Sequence, residues 1–429
     1  MAIAPRLWQC APPRAGIVRV RCLEHILAGA PVDILASLRS GAWITRERVR
    51  VYGTILIAAY AIVVAWSFSG SGVLDPLRRP VGTDFLSFYT ASSLLHAGEG
   101  AAAYSAPALH AAETSITGPG AAEGSYYAWL YPPTAFLLVY PLAWMPYLAA
   151  YALAMTVAVG GVLVVVWRFT RSGAALGIAL AAPALFLCVT HGQVTLPIAV
   201  VLVAGLQAVR SSPAVAGALL GIVTLKPHLG LLVPIALVAG RRWRALAFAA
   251  LSAACLGFIA TAFFGADAWA AFVSATPYAR GIVEQGLVEY RKQASLLAGA
   301  RLLGASLPVA SAAQVLGTAA TVAIVAWTWA RRRDARLERA VLLCGAVVAS
   351  PFALDYDLLL PALALAALAP VWLQTGLRPW EAAIAAGAWA VPLLQRPLGV
   401  PVAQVFTLAL LLAIVARVRG APAAEPASP

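Results

Sequence analysis

The residue with the clearest chemical potential is Asp84, in the string Gly82-Thr83-Asp84-Phe85. Its place ahead of an amphipathic segment suits a helix N-cap. A carboxylate at a membrane boundary can equally accept a proton from a hydroxyl during a group transfer. Lys226 is the second such residue. Only two lysines occur, Lys226 and Lys292, and Lys226 opens Lys226-Pro227-His228 between two apolar runs. An ammonium at membrane depth is costly unless it snorkels to the interface or meets an anion. A lipid phosphate is one such anion, and the amides following Pro227 would add to its binding. His228 and Arg280 are expected to share that contact. In Asp355-Tyr356-Asp357 one carboxylate is expected to cap a returning helix. The other would orient a ligand hydroxyl or pair with an outer arginine. Tyr89, Tyr104 and Tyr131 are interface anchors or rings that stack on sugar faces. His191-Gly192-Gln193 reads as a tight turn or as part of a polar site. No group of residues has convincing metal-ligand spacing, so neither a metal nor another cofactor is expected.

These residues need elements to hold them, and composition says which kind. The 429 residues are 62% hydrophobic and 11% charged, against about 25% charged in ordinary soluble domains. So few charges cannot cover a soluble surface, and an all-α polytopic membrane protein follows. The net charge of +13 raises nucleic acid as a partner, but position excludes it. The arginines gather at the ends of apolar runs (Arg46, Arg48 and Arg50; Arg168 and Arg171; Arg241, Arg242 and Arg244; Arg331 to Arg333; Arg417 and Arg419), as the positive-inside rule describes. The partner implied is the lipid bilayer. The five cysteines, Cys10, Cys22, Cys188, Cys255 and Cys344, show no CxxC spacing and read as small buried hydrophobes.

Apolar runs and arginine placement predict about twelve crossings with both termini inside. They lie near 51–69, 147–167, 174–189, 194–209, 215–225, 229–240, 245–264, 308–329, 340–349, 358–373, 379–394 and 398–416. A cytoplasmic arm, 1–50, with an amphipathic helix near 18–38, precedes a transmembrane domain over 51–417, and a disordered tail covers 418–429. Outer loops span 70–133 and 265–307. The runs 215–225 and 229–240 are each about half a span and form a hairpin with Lys226 at its tip. The run from 340 breaks at Ser350-Pro351 and returns after Asp357. Broken helices at membrane depth need protein or a watery cavity around them, so these two tips predict a cavity. The polar residues other than arginine anchors all fall on the outer side.

The strings occur in a characteristic order: GTDF…Y…LL…G…AAY, then Y-PP, then GQ, then an AG…LKP hairpin, then SP…DYD. In this the chain resembles glycosyltransferase family 87, formerly DUF2029, over about 50–373. That family includes polyprenol-phosphate-mannose-dependent α-mannosyltransferases. Val194 stands where many members have asparagine. The resemblance implies a GT-C type fold, a polyprenyl-phosphate-linked sugar donor and a glycan or glycolipid acceptor. It also implies an essential aspartate in the first extracytoplasmic loop, at the position of Asp84. The expectation is an inverting hexosyltransferase at the outer face of a bacterial inner membrane, with mannose favoured. Asp84 would be its base, and Lys226, His228 and Arg280 would hold the donor phosphate. Tyr89, Tyr104, Tyr131, His191, Gln193, Asp355 and Asp357 would line the substrate site. The rival expectation is a lipid or glycolipid transporter or flippase. Such proteins place binding residues near the midplane in repeated broken helices, whereas this polar set is one-sided.

Overall fold

The computed structural model describes residues 33–122, 126–331 and 334–420. Most of the helix expected over 18–38, two of the five cysteines and the end of the tail lie outside these residues. Within them the chain is helical, with only isolated bridges such as Gln293 to Leu354 outside helices.

Six helices are long and apolar enough to cross a membrane: Arg46–Ser67, Tyr147–Thr170, Trp243–Phe264, Leu307–Ala330, Asp355–Thr375 and Val402–Gly420. Gly173–Leu180 and Pro183–His191, bent by 53°, add a seventh if they form one span. The protein is therefore a multi-pass membrane protein. No residue of Arg46–Ser67 is buried, and on Trp243–Phe264 the rings of Phe258 and Phe263 are about three-quarters exposed, at 75% and 76%. Apolar surface on that scale requires lipid. Cys255 lies on this same helix and is exposed, whereas Cys188 and Cys344 are buried. The expectation of burial thus fails for Cys255, because its helix sits at the edge of the bundle.

The opposite case is Ala335–Ala349. Asp334 caps it by accepting from the Arg336 amide, and every residue from Leu337 to Ala349 is buried except Arg339. From Ala340 to Ala349 the helix is apolar on every side, as suits the centre of a bundle, and it packs between Leu307–Ala330, Leu359–Thr375 and Val402–Gly420. It stops at Ser350, whose extended backbone (φ −88°, ψ 124°) is what a following proline imposes.

The half-span pair is present as the helices Pro213–Ile222 and Val233–Ala239, joined by short turns around Lys226. Pro227 keeps Lys226 out of the helical region (φ −130°, ψ 75°), which breaks the hairpin at its charged residue. Gly217 and Gly221 let the first helix lie directly on Trp243–Phe264. A Cβ on Gly217 would come within 2.3 Å of the Ala245 carbonyl oxygen. Close backbone approach through small residues is how helices associate in lipid.

The stretch 70–133 folds over one end of the bundle. The helix Phe85–His96 buries Phe85, Leu86 and Phe88, and Trp129 stacks on Phe136 beneath it. Ala106–Thr117 follows, closed by Gly118 at φ 72°. The stretch 265–307 is not an open loop: it carries the helices Ala266–Glu284 and Leu296–Leu302. Its last part is tied into the bundle by buried glutamines. Gln395 donates to the Gln293 carbonyl at 2.6 Å, Gln404 donates to Gln293 and Ser295, and the Ala294 amide reaches the Ala353 carbonyl at 2.8 Å.

Candidate active site

Two glycines bring Asp84 to its neighbour. Gly82 (φ 69°) and Gly192 (φ 66°) both occupy the left-handed region, where a side chain is strained. A Cβ on Gly82 would sit 2.3 Å from the Tyr151 ring, and one on Gly192 would sit 2.5 Å from Phe85 Cβ. The Asp84 turn and the Gln193 turn thus close on the same two rings. Asp84 occupies the N-cap position of Phe85–His96, yet its side chain makes no capping bond. Its Oδ2 instead accepts from the Gln193 side-chain amide. Gln193 Oε1 accepts from the Tyr131 hydroxyl at 3.4 Å, and the Tyr131 carbonyl accepts from the Tyr104 hydroxyl at 2.8 Å. The half-buried Asp84 carboxylate has no other hydrogen bond among the described residues.

A second group joins the two broken hairpins. Lys226 Nζ lies 2.7 Å from Asp357 Oδ1 and 2.6 Å from Thr195 Oγ1, with the Tyr356 ring 4.8 Å away. Lys226 is 2% exposed and Asp357 is fully buried. Asp357 also accepts from Thr195 and from the Leu354 amide, so it caps the returning helix. His228 Nε2 stands 3.7 Å from Asp357 Oδ2, beyond hydrogen-bond reach.

The third group was not anticipated as a unit. Arg396 Nε donates to Asp355 Oδ2 at 2.5 Å, and Arg396 Nη2 donates to His191 Nε2 at 3.3 Å. His191 Nδ1 lies 2.9 Å from the Leu187 carbonyl. A carbonyl only accepts, so Nδ1 carries the proton and Nε2 is left to receive the guanidinium. The Tyr356 ring lies between the second and third groups, 4.8 Å from Lys226 Nζ and 6.1 Å from the His191 ring, and Gln193, two residues beyond His191, links them to Asp84.

The structure therefore brings together Asp84, Tyr104, Tyr131, His191, Gln193, Lys226, Asp355 and Asp357, with His228 at the edge. Two expected members stand apart. Tyr89 donates to the Met145 carbonyl at 2.9 Å and packs on Tyr147, which holds helices together. Arg280 is exposed on Ala266–Glu284 and makes no ion pair or hydrogen bond among the described residues. Lys226, expected to await a phosphate, already faces a carboxylate. Arg396, Thr195 and Tyr356 were missed. The sequence leaves open which arginine could pair with an aspartate of Asp355-Tyr356-Asp357, and Thr195 is an unremarkable residue within a span. Among the described residues no group of His, Cys, Asp and Glu is arranged to hold a metal ion.

On the helix Ala106–Thr117, Glu113 is 1% exposed. Burial pushes its carboxyl up to about 8, partly offset by the Tyr127 amide that it accepts at 3.2 Å. It anchors the segment leading into Trp129 and Tyr131.

Comparison with protein-family models matches Glycosyltransferase family 87 over residues 129–351, just over half of the chain. The match includes Tyr131, His191, Gln193, Lys226 and His228, while Asp84, Asp355, Asp357 and Arg396 lie outside it. Comparison with curated proteins and with solved structures gives no match.

Proposed function

Because the chain belongs to glycosyltransferase family 87, we propose that it moves a sugar, mannose being favoured, from a polyprenyl phosphate to a hydroxyl of an envelope glycan or glycolipid. It does so on the extracytoplasmic face of a bacterial inner membrane. The fold is of GT-C type, with about twelve crossings, short and broken ones included, and both termini inside. The arm 1–50 and the tail from 418 flank the transmembrane domain on the cytoplasmic side.

The observation that carries this reading is the state of the Asp84 carboxylate. It has declined the cap that its position offers, is held at one oxygen by Gln193, and keeps the other open. That is the arrangement of a positioned general base. The acceptor oxygen attacks the anomeric carbon, and its proton passes to Asp84. The bond from that carbon to the phosphate oxygen breaks, and the electron pair leaves with the phosphate. Attack and departure on opposite faces give inversion. A polyprenyl phosphate departs already charged, so no general acid has to face it. Such a base contributes about 10²–10⁴-fold. Tyr131 and Tyr104 steady Gln193 and the loop above it, and Asp357 with Lys226 fixes the floor.

The test is to supply purified protein with labelled polyprenyl-phosphate-mannose and an envelope lipid extract. The reading expects labelled lipid product and an equal yield of free polyprenyl phosphate. Donor moved across vesicles without being consumed would identify a flippase instead.

A further inference from the structure

The two cations of the site are not equivalent. The three N–H groups of Lys226 face Thr195, Asp357 and the Tyr356 ring, and the side chain is sealed from outside. A phosphate could reach it only by displacing Asp357, which would strand a buried carboxylate. Arg396 differs on each count. Its side chain is 33% exposed. Of the five N–H donors of a guanidinium, Nε serves Asp355 and one on Nη2 serves His191, while Nη1 makes no hydrogen bond among the described residues. Its neighbour Gln395 is buried and bonded to the Arg291 and Gln293 carbonyls, so the backbone beneath Arg396 is fixed. Arg291 lies against Gly399, three residues further on, and adds positive field at the same edge. Asp355 is 1% exposed, and its Oδ1 is buried with no hydrogen-bond partner. A partly open guanidinium with an unused Nη1, fixed on its far side by a buried carboxylate, calls for an anionic ligand.

We infer that Arg396, held in place by Asp355 and His191, binds the phosphate of the lipid-linked donor. This rests on the lipid-phosphate donor of the proposed function, and it gives Lys226 a structural place rather than a phosphate contact. Asp355 orients the planar fork, which then meets phosphate oxygens without losing further rotamer freedom.

The test uses the full-length protein in detergent and measures the Kd of farnesyl phosphate, a sugar-free probe. Arg396→Gln alone leaves Asp355 unpaired, so the deciding variant is the double change Asp355→Asn with Arg396→Gln, which removes both charges. The inference expects this variant to melt near the wild type and to bind farnesyl phosphate about 10- to 100-fold more weakly, the weight of charge-assisted hydrogen bonds. Arg396→Lys should fall between, and Arg280→Gln should match the wild type. Inorganic phosphate should displace the probe from the wild type. A folded double variant with unchanged Kd would overturn the inference while leaving the lipid-phosphate donor intact. Displacement by phosphatidylglycerol as effective as by polyprenyl phosphate would also overturn it, assigning the site to bulk lipid headgroups. If the wild type bound no farnesyl phosphate at all, the donor reading itself would fall, and the inference with it.

Discussion

Lys226 and Asp357 meet at 2.7 Å across two broken helices that are 131 residues apart in the chain. Neither is open to water. Breaking such a pair by removing one partner typically costs about 3–5 kcal/mol, because the other charge is left buried. Lys226→Ala should therefore lower the melting temperature of the ligand-free protein by many degrees. Adding Asp357→Asn should recover most of the loss. An unchanged melt for Lys226→Ala would mean that the pair contributes nothing and would return Lys226 to ligand binding.

The approach of Gln193 to Asp84 depends on glycine. Gly192→Ala forces a Cβ to within 2.5 Å of Phe85 at φ 66°, combining strain of about 1–3 kcal/mol with a clash in the wall of the site. Gly98 also has a positive φ, 78°, but nothing lies within 4 Å of its Cβ position. Gly98→Ala should cost only the backbone strain, about 1–2 kcal/mol, and leave turnover near normal, whereas Gly192→Ala should lose more stability and also transfer. Equal behaviour in paired melts and turnover assays would contradict the packing role of the Gln193 turn.

These long separations explain what could be read from the chain beforehand. Asp84, Gln193, Lys226 and the two aspartates stand out because polar residues are rare in so apolar a sequence. Their partners do not, since Asp84 and Gln193 are 109 positions apart and Asp355 and Arg396 are 41 apart. Periodicity within a helix cannot set such pairings. That one aspartate could pair with an arginine was legible, but not that the arginine is Arg396, which its ion pair with Asp355 and the glutamine contacts beneath it set apart. The cap expected of Asp84 was a sound local reading, overruled by a tertiary contact. The cap expected within Asp355-Tyr356-Asp357 is supplied by Asp357.

Glu113 gives the outer helices a pH dependence. Its carboxyl moves from the usual 4.5 to about 8 on burial. Below pH of about 4.5 both folded and unfolded forms are protonated, and the stability is fully present. Between about 4.5 and 8 the unfolded chain ionises first and gains up to about 1.4 kcal/mol per pH unit. Glu113→Gln should melt close to the wild type at acid pH and above it at about pH 8. Parallel melting curves for the two proteins across that range would show that Glu113 is not held neutral.

Arginine placement supports the proposed side of the chemistry and can be tested. Accessibility labelling at Gly118 and Gly286 should read extracytoplasmic, and at Ser172 and Asp334 cytoplasmic. A cytoplasmic reading at Gly118 would put Asp84 on the side of soluble nucleotide sugars and remove the reason for a lipid-linked donor.

The most direct test of the account is single-turnover transfer by Asp84→Asn. The amide preserves size and still accepts from Gln193 but cannot take the acceptor's proton. The account predicts an unchanged melt, unchanged farnesyl phosphate binding and transfer slower by about 10²–10⁴-fold. Transfer retained at more than about a tenth of the wild-type rate would contradict it and leave Asp84 as a structural link between two turns.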